Sequence, residues 1–329
     1  MREIYFDNAA TSPVRAEVVE IMSRFHWEVF GNPSSLHQPG QRAKRALEDA
    51  RSAVADVIGA DPKEIFFTSG GTESNNLAVR GVAHAMAGRG QHIITSSIEH
   101  HSVLNVCHAL EKEGFEVTYL PVDRSGVVDL VALQERIRTD TILVSIMSAN
   151  NEVGTVQPLS QVSTMIRARG IVLHTDACQA IGKMPVSVRY LGVDLLSLTA
   201  HKFYGPKGQG ALYVKKGTRI TPLLQGGHQE RLLRPGTENL AGIAGLAAAI
   251  RLASEALPAE SIRIGALRDR LERGVLSRID DVSMNGHRDL RVCNIANMSF
   301  GDLEAETLLL VLDMHGISVG CSSFTTTLN

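Results

Sequence analysis

A lysine placed where an apolar run gives way to a glycine-punctuated loop is the first residue in this chain able to do covalent chemistry. It is Lys202, in Leu198-Thr-Ala-His-Lys-Phe-Tyr-Gly-Pro-Lys-Gly208. An ammonium in a cleft is costly to bury, so its pKa falls and its amine becomes a nucleophile; the plainer reading is a surface lysine in a loop. Asp176, in His174-Thr-Asp-Ala-Cys-Gln179, closes another apolar run. A carboxylate there needs a cation or several hydrogen bonds to remain charged, or it simply caps the helix that follows. Gln179, one turn of chain later, reaches the same cavity. Thr68-Ser-Gly-Gly-Thr-Glu-Ser-Asn75 opens a helix after a third run. Its glycines allow a tight turn, and the N–H groups about Gly71 with the Thr72 hydroxyl make an anion seat, although Ser69 or Thr72 is equally an ordinary N-cap. Ser97-Ile-Glu-His-His101 and Ser148-Ala-Asn-Asn-Glu-Val-Gly154 bring His100 and Asn151 to the same edge, each on its own no more than a surface histidine or a turn.

These segments share an edge only if the chain builds a parallel sheet. Apolar runs at Ile65–Thr68, Ile93–Ser96, Val117–Leu120, Ile142–Met147, Ile171–Thr175, Leu195–Leu198 and Ala211–Val214 predict strands, several apolar throughout as when both faces are covered. Helical patterns at Glu73–Met86, Ser102–Lys112, Leu130–Arg138 and Leu159–Arg169 alternate with them, and two earlier ones cover Ala16–Phe30 and Pro39–Ile58. In such a sheet ligands bind beyond the carboxyl ends of the strands, where the polar segments gather. Further on, Leu240–Leu257 predicts a helix ended by Pro258, followed by a helix near Ser261–Arg278, a strand near Ile295–Phe300 and a helix near Glu304–His315. An anion seat, a buried acid, a ring-stacking side chain and a nucleophilic lysine at one edge are together what pyridoxal phosphate requires.

The composition sets limits. The 329 residues hold 33 Lys and Arg against 35 Asp and Glu, with no basic run, which argues against a nucleic-acid protein relying on a bulk positive field. Hydrophobic residues make up 44%, enough for a sizeable core. The charged start argues against a signal peptide, and no uncharged apolar run approaches the ~18 residues of a membrane span. Four cysteines, none in a CxxC pair, are too few for a disulfide framework, and no Cys/His set has zinc-ligand spacing. Cys107 and Cys178 read as packing residues, whereas Cys293 stays open. A cytoplasmic location is expected.

At these motifs the sequence resembles the NifS/IscS-like cysteine desulfurases, a branch of the class V aminotransferase-type enzymes that use pyridoxal 5'-phosphate. The resemblance runs from Tyr5-Phe-Asp-Asn-Ala-Ala-Thr-Ser-Pro13 to about Ile317. Its most diagnostic pieces are Gly70-Gly-Thr-Glu-Ser-Asn75, Glu99-His100, Asn150-Asn-Glu-Val-Gly154, Asp176-Ala-Cys-Gln179, Ala200-His-Lys-Phe-Tyr-Gly-Pro-Lys-Gly208 and Arg234-Pro-Gly-Thr-Glu-Asn239. It implies an α/β fold of the PLP-dependent transferase fold type I, with a mainly parallel seven-stranded sheet covered by helices on both faces. A large cofactor domain would span residues 15–250, and residues 1–14 and 251–329 would form a small α+β domain. By the same resemblance Lys202 carries the cofactor and shuttles a proton, Asp176 pairs with the pyridine nitrogen, and Gln179 meets the ring's phenolic oxygen. His100 stacks on the ring and assists proton transfer. Gly71, Thr72, Thr199 and His201 hold the phosphate, Thr237 reaches the phosphate of a neighbouring subunit, and Asn151 sits near ring and substrate carboxylate.

The implied reaction takes L-cysteine to L-alanine and leaves a persulfide on an enzyme cysteine, to supply iron–sulfur clusters or thiolated cofactors. The implied partners are a second copy of the chain in a homodimer and a sulfur-acceptor or scaffold protein. Cys321, in Gly316-Ile-Ser-Val-Gly-Cys-Ser-Ser-Phe-Thr-Thr-Thr-Leu-Asn329, is the candidate nucleophile from its position. The residues around it depart from the family's Ser/Gly-rich loop, and the arginine that clamps the substrate carboxylate has no counterpart. The small domain therefore reads as C-terminally truncated, with Leu308, Leu309 and Val311 poorly covered. Alternatives are another class V enzyme, such as a selenocysteine lyase or an aminotransferase, and an impaired cofactor-binding remnant acting as a partner subunit.

Overall fold

The computed structural model describes residues 3–321, and in it the seven apolar runs of the sequence form one sheet. A short strand β1 (Ile4–Tyr5) comes first, then helices α1 (Ala16–Trp27) and α2 (Gln38–Ile58). The sheet strands are β2 (Ile65–Thr68), β3 (His92–Ser96), β4 (Glu116–Leu120), β5 (Thr141–Ser145), β6 (Val172–Asp176), β7 (Leu195–Thr199) and β8 (Gly210–Val214). They stand in the order β2-β8-β7-β6-β5-β3-β4. The pairs β7-β6-β5-β3-β4 are parallel, while β8 runs antiparallel to both β7 and β2. Helices α3 (Gly71–Met86), α4 (His101–Lys112), α5 (Leu130–Arg136), α6 (Leu159–Ile166) and α7 (Val188–Leu191) fill the connections. The predicted strands fall within two residues of the observed ones.

Both faces of the sheet are buried, and neighbouring residues of a strand serve different cores. Ile94, Val144, Leu173 and Leu196 pack with α1 and α2, whereas Ile93, Leu143, Val172 and Leu195 pack beneath α3 and α4. Period-two alternation of two apolar sets explains why these runs carry no polar face. The expectation at Pro258 is corrected. Helix α8 runs unbroken from Leu240 to Leu276, with Pro258 inside it. Proline removes one hydrogen bond to the preceding turn, but here it lies on the exposed side of the helix, where its ring displaces no packed neighbour. The apolar first half of α8 is long enough to span a bilayer by length and composition, yet it is packed against α1 and α2, with Ile243, Leu246 and Ile250 buried.

Beyond α8 come β9 (Val282–Asn285), β10 (Asn297–Phe300), α9 (Ala305–Met314) and β11 (Ile317–Ser318). β9 pairs with β10, and β11 pairs in parallel with β1, so Ile4 faces Ile317. Helix α9 buries none of its residues, and Leu310, Val311 and Met314 are exposed. The unusual sequence at 322–329 lies outside the described residues.

Two buried polar devices fix the sheet edge. His174 sits on the same face of β6 as Asp176, and its ring bridges Ser145 Oγ on β5 at 2.8 Å and Ser197 Oγ on β7 at 3.0 Å. Glu230 accepts both arms of Arg51 from α2, at 2.9 and 2.8 Å, and the Phe67 N–H at 2.8 Å. That carboxylate holds a segment in which Glu230, Arg231 and Leu232 take φ values of 43°, 55° and 69°. Such conformations cost non-glycine residues about 1–3 kcal/mol each and persist only when surroundings impose them.

Breaking this pair leaves a buried charge, so Glu230→Ala should lower stability by about 3–5 kcal/mol in urea titration, and Arg51→Met with Glu230→Leu should recover much of it. The His174 ring is neutral because burial pushes its pKa down to about 4. The unfolded chain takes up that proton near pH 6.5, so stability falls as pH drops from about 6.5 to 4. Wild type should lose about 3 kcal/mol more than His174→Gln over that window. Parallel urea midpoints for the two would refute it.

Candidate active site

The turn after β2, the start of α3 and the carboxyl end of β7 meet at one cavity of about 360 Å³, a size suited to a small ligand. Gly71, Thr72, Thr199 and His201 line it, together with Thr11 and Lys207. The tight turn into α3 depends on Gly70, at φ 153°, where side chains are rarely found. A methyl group at Gly71 would stand 2.6 Å from Cys178 Sγ, so this floor admits no side chain. The first N–H groups of α3 have no partner inside the helix and favour an anion. Glu73, also in the lining, is neutralised by Arg234, whose Nε donates to it at 2.9 Å, and that pairing holds its carboxyl below the usual range despite burial. Lys207 supplies cationic charge to the lining.

Lys202 lies in the single 3-10 turn Ala200–Lys202 that follows β7. Burial pushes its amine below the ordinary lysine value, against the nearby Cys178, Asp176, Asp7 and Glu152. Its Nζ donates to the carbonyls of Ala9 at 2.5 Å and Ala10 at 2.7 Å. The N-terminal segment is strapped over the turn by further bonds: Ser12 N–H and Oγ donate to His201 O, Tyr204 N–H donates to Ser12 Oγ, and His201 Nδ1 lies 3.1 Å from Thr11 Oγ1. His201 is pushed down to about 4 by burial and by the cations of Lys202, Lys207 and Lys183.

Asp176, only 7% exposed, ends β6. Its Oδ1 accepts the Cys178 N–H at 2.9 Å and its Oδ2 accepts Asn75 Nδ2 at 2.6 Å. Burial pushes the adjacent Cys178 thiol well up, so it stays protonated. Gln179 donates to Ala9 O at 2.9 Å and accepts from Lys183 Nζ at 3.1 Å. Lys183 also donates to the carbonyl of Lys202 at 3.1 Å, and burial followed by the charge of Lys202 pushes it down to about 8. His100 is the N-cap of α4, its Nδ1 accepting from the Ser102 N–H. The neighbouring Glu99 is fully buried, accepts from Ser96 Oγ and the Met147 N–H, and is pushed up to about 8 by burial.

The structure thus brings Gly71, Thr72, Thr199 and His201 into one cavity wall and ties Lys202, Gln179, Asp176 and His100 to the same sheet edge. Asn151 follows β5, but its amide turns to Glu152 Oε1 at 2.6 Å. Thr237 is exposed in the segment before α8 and is not in the cavity wall. Cys321 is exposed just past β11. The preceding Gly320 abuts Asp7, where a Cβ would come within 2.7 Å of Oδ1, so β1 and β11 lead Cys321 to the strap over Lys202. Sequence reasoning assigned no role to Lys183, Lys207, Asn75, Ser102 or the Ala9 and Ala10 carbonyls. Lys207 and Asn75 stood inside the quoted motifs, but the carbonyls and Lys183 gave no signal of side-chain type or spacing.

Pyridoxal phosphate fits this donor set. The α3 N-terminus with Thr72, Thr199, His201 and Lys207 suits its phosphate, the Asp176 carboxylate suits its ring nitrogen, and the depressed amine of Lys202 suits its aldehyde.

The Aminotransferase class-V family matches residues 4–323. Cysteine desulfurase IscS of Dictyoglomus turgidum is 54% identical over 322 residues, covering 98% of this chain and 82% of that protein. Cysteine desulfurase IscS of Methanosarcina thermophila is 51% identical, covering 98% of this chain and 80% of that protein. Among solved structures, a NifS-like protein superposes with a TM-score of 0.95 at 42% identity, covering 98% of this chain and 88% of the other. SspA in complex with cysteine superposes with a TM-score of 0.85 at 37% identity, covering 98% and 90%. A family match along nearly the whole chain and relatives about half identical to it show that the chain belongs to the class-V aminotransferases, within the cysteine desulfurase family.

Proposed function

We propose that this protein is a pyridoxal phosphate-dependent cysteine desulfurase, converting L-cysteine to L-alanine with transfer of sulfur to a cysteine of the enzyme. The observation that carries the reading is the lysine amine of Lys202, its pKa lowered by burial, at the same sheet edge as a buried carboxylate and a helix N-terminal anion seat. The bound cofactor supplies an electron sink for the substrate's α-carbon. The chain's own groups do the rest. Lys202, uncharged more readily than an exposed lysine, serves as covalent anchor and then as base at the α-carbon. Asp176 holds the ring nitrogen protonated, and Cys178 N–H and Asn75 keep that carboxylate solvated. Gln179 is held with its amide oxygen occupied by Lys183 and one amide hydrogen given to Ala9 O, which leaves the other hydrogen for the ring oxygen.

Cys321 is the proposed sulfur acceptor within the enzyme. Its thiolate attacks the substrate sulfur, an S–S bond forms as the C–S bond breaks, and the electron pair of the broken bond remains with the carbon skeleton. A proton delivered to that carbon completes alanine. An exposed position is what such a nucleophile needs, because it must next meet a sulfur-acceptor protein. A homodimer is the proposed assembly, with Thr237 of one subunit reaching the phosphate of the other.

The purified chain should be yellow and should release alanine from L-cysteine, with the colour fixed by borohydride. Lys202→Ala should lower alanine formation by about 10²–10⁴-fold and remove the borohydride-fixed colour. Cys321→Ala should keep the colour and lose alanine formation in the presence of an acceptor thiol. A colourless wild type that does not take up the cofactor overturns the reading, and alanine formation surviving Cys321→Ala overturns the nucleophile assignment.

A further inference from the structure

Four side chains at the site form one hydrogen-bonded line. Asn75 Nδ2 donates to Asp176 Oδ2 at 2.6 Å and to Ser102 Oγ at 2.8 Å. Ser102 Oγ lies 2.8 Å from His100 Nδ1, and the Ser102 N–H donates to the same nitrogen at 3.1 Å. Asn75 and Ser102 are both buried.

The line has a direction. A carboxylate offers Asn75 only lone pairs, so the amide must turn its NH2 toward Asp176; reversed, two oxygens would face each other. The second hydrogen of that nitrogen then reaches Ser102, which leaves the serine's own hydrogen for His100. Nδ1 accepts from a hydroxyl and from a backbone N–H, so in a neutral ring the proton must stand on Nε2. Burial keeps His100 below its ordinary value, against the opposing charges of Asp176 and Glu152, so the neutral ring is the form that matters. The arrangement also costs the amide something. Asn75 Oδ1 is buried without a partner, a penalty of about 1–3 kcal/mol that Asn75 would not incur on its own account.

We propose that Asn75 and Ser102 are positioning residues that transmit the polarity of the Asp176 carboxylate to His100 and fix its neutral ring as the Nε2–H tautomer. The consequence for turnover rests on the desulfurase reading: His100 then meets the substrate as a hydrogen-bond and proton donor at Nε2 rather than as a base. The tautomer itself does not depend on turnover.

Nitrogen NMR of the holoenzyme labelled with ¹⁵N-histidine tests this, with the His100 resonances assigned by their loss in His100→Gln. Wild type should show a pyridine-type Nδ1 and a pyrrole-type Nε2. Ser102→Ala should move the Nδ1 resonance toward that of an unbonded pyridine-type nitrogen, Asn75→Leu should move it part of the way, and Ser102→Thr should restore it. With L-cysteine, Ser102→Ala should lower kcat about tenfold with KM little changed, a part of what proton transfer contributes. A pyrrole-type Nδ1 in wild type, or an Nδ1 resonance unmoved in Ser102→Ala, overturns the proposal. Wild type that ignores cysteine yet shows the Nε2–H signature sinks the desulfurase reading and leaves the relay standing.

Discussion

A carboxylate taken out of water at the end of a central strand must be solvated by the protein, and Asp176 is that group. Its ligands arrive from different elements: a backbone N–H of its own turn, and an amide from α3. For the amide to reach it, α3 must begin where it does, which requires the Gly70–Gly71 turn and so creates the anion seat. For Asp176 to meet that amide, β6 must hold its register between β5 and β7, which His174 secures with one serine on each side. Anion seat, acid and histidine are therefore products of one solvation problem rather than separate inventions of the sequence.

How much of this was legible follows from range. Strands read well because apolar runs buried on both faces announce themselves locally, and the motifs after β2, β6 and β7 read well because a site at strand ends is built from short segments. Three features escaped because their causes are distant. Pro258 is a local stop signal, but the helix around it continues, with the proline on the exposed side of α8. The strands β1 and β11 are two residues each and exist only through each other. Asn75 and Ser102 look like any helix-start polar residues until Asp176 and His100 are placed beside them. The roles of Asn151 and Thr237 were legible only through resemblance, and within one chain neither side chain is drawn into the cavity wall.

Cations crowd the same space. Burial and then the charge of Lys202 depress Lys183, and Lys207 adds to the charge that holds His201 neutral. Beside them the buried acids are few and already engaged, since Glu73 is taken by Arg234 and Glu99 lies among its own hydrogen bonds. An anion bound among these cations offsets their mutual repulsion as well as gaining bonds. Ligand binding of that kind adds directly to the stability of the folded chain.

The strap over Lys202 is tied down from a distance. The segment that follows β1 closes the turn that carries the lysine, yet β1 finds its strand partner only in Ile317–Ser318, beyond every strand of the central sheet. That pairing closes a loop around the whole sheet, so it carries a larger entropic cost than the contacts within the sheet and is the piece of the cover most easily released.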